Sequence, residues 1–300
     1  MRTGFEWCAP ALSARRIAAP LLLAAATLFA GPSAMAMPVP TGLVINATVD
    51  YDSDGYSTAV GGVTQGGNMS VTDGGTSSSS TISNGTATPD TTITRQLSET
   101  GDGTSINLSL LGVGPSDDIA YNIADQLISL SNASASDIYT VSLRVDVRNF
   151  ADATGSETNL SESAYVLSDF RLCDSARPNC STELMYSALA SDSYYGDSVG
   201  GTPQGTKGAT LSDSGSQLFI FVLNPGDMLD LWGEMRLEAL NGSPNDGIGF
   251  NANLTSSITL ESVEVTDGNG GGGTVPEPAA ALLVSLGLGL LGWQRRSRRQ

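Results

Sequence analysis

Residues 217–237 read QLFIFVLNPGDMLDLWGEMRL. The first seven are almost continuously apolar and too few for a buried helix, which predicts a central strand covered on both faces. Asn224-Pro225-Gly226-Asp227 is turn chemistry and predicts a hairpin into a second strand starting at Met228. Along that strand Leu229, Leu231, Met235 and Leu237 alternate with Asp230, Trp232, Glu234 and Arg236. Successive side chains of a strand point to opposite faces, so one face is buried and the other wet.

Working outward, Val141, Leu143, Val145 and Val147 alternate in the same way with Ser142, Arg144, Asp146 and Arg148. Further strands are expected at 43–49, 92–97, 105–111, 165–172, 248–254 and 257–265, and a helix only at 117–130. About ten strands joined by polar turns, without helix–strand alternation, predict an all-β fold. The expected architecture is one antiparallel β-sandwich over residues 37–265, a jelly roll being one way to build it. Residues 61–90 are mostly Gly, Ser and Thr. They offer too little apolar surface to offset the entropy of ordering, which predicts a long loop or a frayed edge.

Composition narrows the chemistry. The 300 residues contain no histidine and carry a net charge of −17. Between residues 37 and 275, 7 basic residues stand against 29 acidic ones, leaving −22. Such a body repels phosphate backbones, so nucleic acid is not an expected partner. Absence of histidine removes Ser-His-Asp and Cys-His nucleophile systems and imidazole-built zinc sites. Carboxylate chemistry, hard-cation binding or no catalysis at all is left.

The two ends are address-like. Arg2, Arg15 and Arg16 precede an apolar segment at 17–30, Gly31-Pro32 breaks it, and Ala34-Met35-Ala36 offers a small–x–small cleavage site. Residues 1–36 are therefore expected to be a secretory signal peptide. At the other end a Gly-rich linker, 266–274, leads to Val275-Pro276-Glu277-Pro278, an uncharged run at 279–293 and then Arg295, Arg296, Arg298 and Arg299. Fifteen helical residues reach ~22 Å, short of a ~30 Å hydrocarbon core, although Trp293 and snorkelling arginines extend the span. The arginines hold the tail in the cytoplasm and so place the body across the inner membrane.

This order of parts resembles the PEP-CTERM sorting signal of exopolysaccharide-producing Gram-negative bacteria, over roughly the last 26 residues and with a compatible signal peptide. The resemblance implies recognition by an exosortase, an integral-membrane cysteine protease, through Pro276, Glu277 and Pro278 after Val275. Arg295, Arg296, Arg298 and Arg299 would act as the retention element. It further implies a single transmembrane helix in an inner-membrane-anchored precursor, later released or transferred to the cell surface or extracellular matrix.

Within the body, Cys173 and Cys180 are expected to form a local disulfide, since the compartment is oxidising and Cys8 leaves with the signal peptide. Asp50-x-Asp52-x-Asp54-Gly55 sets carboxylates at alternate positions, with the Tyr56 carbonyl next, as in calcium loops. The twelfth position is Gly61 rather than a bidentate glutamate, and calcium is the one cofactor the motif suggests. Asp227, Asp230 and Glu234 beside Trp232 offer an outward face for sugar, with no pair that nominates itself as catalytic. The expected function is thus a non-enzymatic, structural or adhesive protein of biofilm, in contact with acidic polysaccharide. A carbohydrate-binding module or glycan hydrolase is the alternative.

Overall fold

The computed structural model describes residues 36–52, 64–82, 91–101, 103–114, 119–153, 162–173, 180–241 and 250–267. All belong to one contact unit, Ala34–Gln300. The signal peptide (save its last residue), the linker beyond Asp267 and residues 275–300 lie outside the described residues. Fourteen strands are described. They are β1 (Leu43–Asp52), β2 (Thr64–Asp73), β3 (Thr76–Ile82), β4 (Thr91–Gln96), β5 (Ser105–Gly114), β6 (Ile119–Asn132) and β7 (Asp137–Asp152). After these come β8 (Glu162–Cys173), β9 (Cys180–Asp192), β10 (Ser198–Val199), β11 (Thr202–Pro203), β12 (Leu211–Leu223), β13 (Met228–Asn241) and β14 (Phe250–Asp267).

Two antiparallel sheets pack as a sandwich. One runs β11-β10-β9-β8-β13-β6-β1-β4, the other β12-β7-β14-β5-β2-β3. The alternation read in β7 and β13 is the core: Val141, Leu143, Val145 and Val147 of one sheet and Leu231, Met235 and Leu237 of the other are buried. Burying such faces is the dominant favourable term in folding. Polar side chains also cross the interior. Asn149 of β7 donates to Ser187 Oγ of β9 at 2.9 Å and to the Ser187 carbonyl at 3.2 Å, and its carbonyl accepts from Ser168 Oγ of β8 at 2.9 Å. Ser187 Oγ in turn donates to Asp213 of β12 at 2.5 Å. A second bridge joins Gln65 of β2, Asn122 of β6 and Tyr51 of β1.

Five expectations are corrected. Residues 217–223 are not a doubly covered central strand: they form the free half of β12, an edge strand, with Phe219, Phe221 and Leu223 buried and Leu218, Ile220 and Val222 exposed. The Asn224–Asp227 turn is not a hairpin, because β12 and β13 lie in different sheets and the turn is a corner of the sandwich. It is closed by Asp227 Oδ2, which accepts from the Asn224 amide at 2.7 Å, and by the Gly226 amide bonding the Asn132 carbonyl at 3.0 Å.

The expected helix is strand β6 from Ile119 onward, with Ala124, Gln126, Ile128 and Leu130 inward. Ile119, Ile123, Leu127 and Leu130 have helix-like spacing, and long-range pairing on both sides of β6 overrides it. Finally, part of the Gly/Ser/Thr-rich stretch is the β2–β3 hairpin. Gly74 and Gly75, with φ of 54° and 79°, supply the two positive-φ residues of a tight turn. Met69, Val71 and Ile82 supply its few inward contacts. The two strands expected at 248–254 and 257–265 are one, β14, irregular between Leu260 and Ser262.

Candidate functional site

The outward face of the eight-stranded sheet gathers charge. Asp230, Trp232, Glu234, Arg236 and Glu238 leave the core side of β13, and the register fixes their neighbours. At the level of Glu234 one lateral row reads Tyr186, Asp169, Glu234, Asp125, Asp50 and Thr92 across β9, β8, β13, β6, β1 and β4. Residues opposite one another on neighbouring antiparallel strands have Cβ atoms about 4.5–5.5 Å apart, so four carboxylates lie side by side. The next row holds Glu183, Arg171, Trp232, Leu127, Thr48 and Thr94.

Arginines and hydroxyls answer this charge. Arg171 donates from Nε to Asp169 Oδ2 at 2.8 Å and from Nη2 at 2.7 Å. Asp169 is only 6% exposed, and its other oxygen, Oδ1, is buried with no hydrogen-bond partner among the described residues. Asp50 accepts from Thr92 Oγ1 at 2.6 Å. Arg236 pairs with Glu238 and sits 5.4 Å from the centroid of the Tyr121 ring, a cation–π distance. Tyr165 pairs in register with Glu238, and burial, followed by the neighbouring Tyr186, pushes its phenol up to about 12. Trp232 and these tyrosines give the face aromatic surface beside acceptors and two guanidinium donors. Rings with a polar rim suit ligands that are apolar on one face and hydroxylated at the edge.

The outward face of the six-stranded sheet is different in chemistry. Its rows read Ser214, Arg148, Thr255, Ser109 and Asn68, then Ser216, Asp146, Ser257, Asn107, Ser70 and Ser79. Short hydroxyl and amide side chains leave an open groove of about 1010 Å³ there.

Of the residues singled out from sequence, Asp230, Trp232 and Glu234 do share one face, whereas Asp227 is folded into the corner turn. Asp169 and Asp125 carry no signal in the sequence: lateral neighbours come from strands distant in sequence, and no local spacing announces them. Cys173 and Cys180 are disulfide-bonded and pair directly across β8 and β9. Asp50 and Asp52 belong to β1, paired with Asp125 and Ile123 of β6, while Asp54 and Tyr56 lie outside the described residues. No group of three metal-ligating side chains occurs among the described residues. Val275, Pro276, Glu277, Pro278, Arg295, Arg296, Arg298 and Arg299 also lie outside them. No described helix is long and apolar enough to cross a membrane.

Comparison with solved structures returns viral chains of low similarity. A chain of the infectious bursal disease virus Gt strain is 11% identical, with 75% of this chain and 56% of that chain covered, at a TM-score of 0.18. In the VP2 subviral particle of infectious bursal disease virus the values are 11%, 79% and 58%, at 0.16. This chain spans little more than half of those chains, and such overlap assigns nothing to it. No curated protein matches. The body is thus an all-β, two-sheet sandwich, and its address is the more specific feature. Residues 274–299 match the PEP-CTERM protein-sorting motif, and the chain is a PEP-CTERM domain-containing protein. The motif marks it as an exported, exosortase-targeted protein, made as a membrane-anchored precursor that is processed for the cell surface.

Proposed function

We propose that the body is a non-catalytic structural protein of the cell surface or extracellular matrix, with an adhesive role in biofilm polysaccharide. The observation that carries the reading is the sorting motif at 274–299. Support comes from two broad polar faces: one with four carboxylates in a row beside Trp232, one a hydroxyl-lined groove. Polysaccharide offers hydroxyls to the acceptors and sugar-ring faces to the aromatics. Divalent calcium joins acidic polysaccharide to the carboxylates, with Asp50, Asp52, Asp54 and Tyr56 as the candidate ligands that first take it up. The alternative, a carbohydrate-binding module or glycan hydrolase, is favoured by Asp169 and Glu234 standing opposite one another next to Trp232.

Sorting is tested in the native host. Glu277→Ala, or deletion of residues 295–300, is expected to leave the precursor unprocessed, seen as a heavier intact mass and loss of released protein. Normal release of both variants would overturn the reading. For calcium, EDTA is expected to free the protein from the matrix and lower its melting temperature. If chelation changes neither, the cation has no part in retention.

A further inference from the structure

Among the described residues the sandwich has four edge strands, and three of them are short, charged or polar. β11 is two residues long and includes Pro203, which has no amide to donate. β4 carries Arg95 and exposes Thr92, Thr94 and Gln96. β3 exposes threonine and serines at 76–79. The fourth, β12, is thirteen residues long. The inward face of its first half packs on β9 of the other sheet, where Ser187 bonds Asp213 and a Cβ at Gly215 would strike the Met185 methyl. Its second half, from Leu218, is open. There Leu218, Ile220 and Val222 are 51%, 61% and 60% exposed, while Phe219, Phe221 and Leu223 anchor the strand to the core. Between Ser214 and Gly226 no residue is charged, in a body of net −22. Long apolar edges without lysine or proline are templates for pairing with another strand.

We propose that this edge is a homodimer interface in which β12 of one copy pairs antiparallel with β12 of a second copy about a twofold axis at Ile220. The occupant follows from the pattern. Leu218-x-Ile220-x-Val222 reads as large aliphatic residues in either direction, so a twofold sets Ile220 on Ile220 and Leu218 on Val222 of the second copy. That self-complementarity is what an isologous contact requires. Charge argues for the same location. Two bodies this acidic repel wherever carboxylates meet, and this strand brings none to the contact. Pairing satisfies the backbone groups of residues 218–222 that face no described strand, joins two six-stranded sheets into one, and extends both hydroxyl-lined grooves along a continuous surface.

The test uses full-length protein purified from membranes in detergent, with Cys173–Cys180 intact. Single cysteines replace Ile220, Thr94 on the β4 edge, or Ser79 on the β3 edge, and a short bismaleimide is added. Ile220→Cys is expected to yield covalent dimer several-fold above Thr94→Cys and Ser79→Cys. Ile220→Lys is expected to sediment as monomer with an unchanged melting temperature, which an exposed position permits. Equal yields at the three positions overturn the proposal, as does a wild-type protein that sediments as monomer. Two other outcomes also overturn it. One is crosslinking of the Ile220→Cys variant to a different protein instead of to itself. The other is an Ile220→Cys thiol that reacts only after residues 279–300 are deleted, which would make the chain's own tail the occupant.

Discussion

Asn149→Leu is expected to lower the unfolding free energy by about 2–4 kcal/mol, because it strips a partner from buried groups on β8 and β9 at once. The amide of Asn149 serves the Ser187 hydroxyl and carbonyl and the Ser168 hydroxyl, and both serines are almost fully buried. A buried polar group left without a partner costs about 1–3 kcal/mol, whereas the net value of an average satisfied bond is nearer ~1 kcal/mol. The leucine cannot repay this, since its methyls would face hydroxyls rather than the aliphatic core. For a body of this size the melting temperature should fall by roughly 10 °C. Urea unfolding checks it: the midpoint should move with the slope unchanged. Asn46→Leu, on an exposed position of β1, is the control and should move the midpoint little. Equal shifts for the two variants would show that the bridge between the sheets contributes nothing special.

Gly233→Val is expected to cost more than about 3 kcal/mol and to be rescued by a second change. Gly233 lies on the inward face of β13, and a Cβ there would collide with the Phe170 ring, including its Cδ1 at 2.7 Å, and with the Met235 methyl at 3.0 Å. Phe170 is fully buried. Overfilling a packed core costs about 1–3 kcal/mol for added methylenes, and valine adds more than one carbon beyond the Cβ. Phe170→Leu alone should destabilise by leaving space, yet in the double variant the two losses should be far from additive. Additive losses would mean that glycine is needed for backbone reasons and not for the ring.

What could be read from sequence was what depends on near neighbours. Val141 to Val147 and Leu229 to Leu237 announce strands because period two is a local property, and every strand expected from such alternation is present. Cys173 and Cys180 could be paired because few residues separate them. Misreadings arose where the answer depends on distant partners. A run such as 217–223 is equally apolar at the centre of a sheet or at its edge, and only the presence of a strand beyond it decides. Asn224–Asp227 is equally good chemistry for a hairpin and for a corner. The hairpin at 64–82 was hidden by composition, although Gly74-Gly75 between Asp73 and Thr76 is itself a turn signal. The carboxylate row was illegible for the same reason: Asp50, Asp125, Asp169 and Glu234 become neighbours only after four strands find their register.

Strand polarity carries one more implication. Leu43, where β1 begins, pairs with Asn132, and Asp267, where β14 ends, pairs with Asp137, so chain entry and chain exit meet at the same pole, beside the corner at 224–227. A precursor held at both termini would therefore be tethered through this one pole. The stretch from 268 to 275 spans at most about 29 Å. In a precursor anchored through residues 279–293, that pole would be the one within reach of the bilayer, and the opposite pole would be the first to meet whatever lies outside.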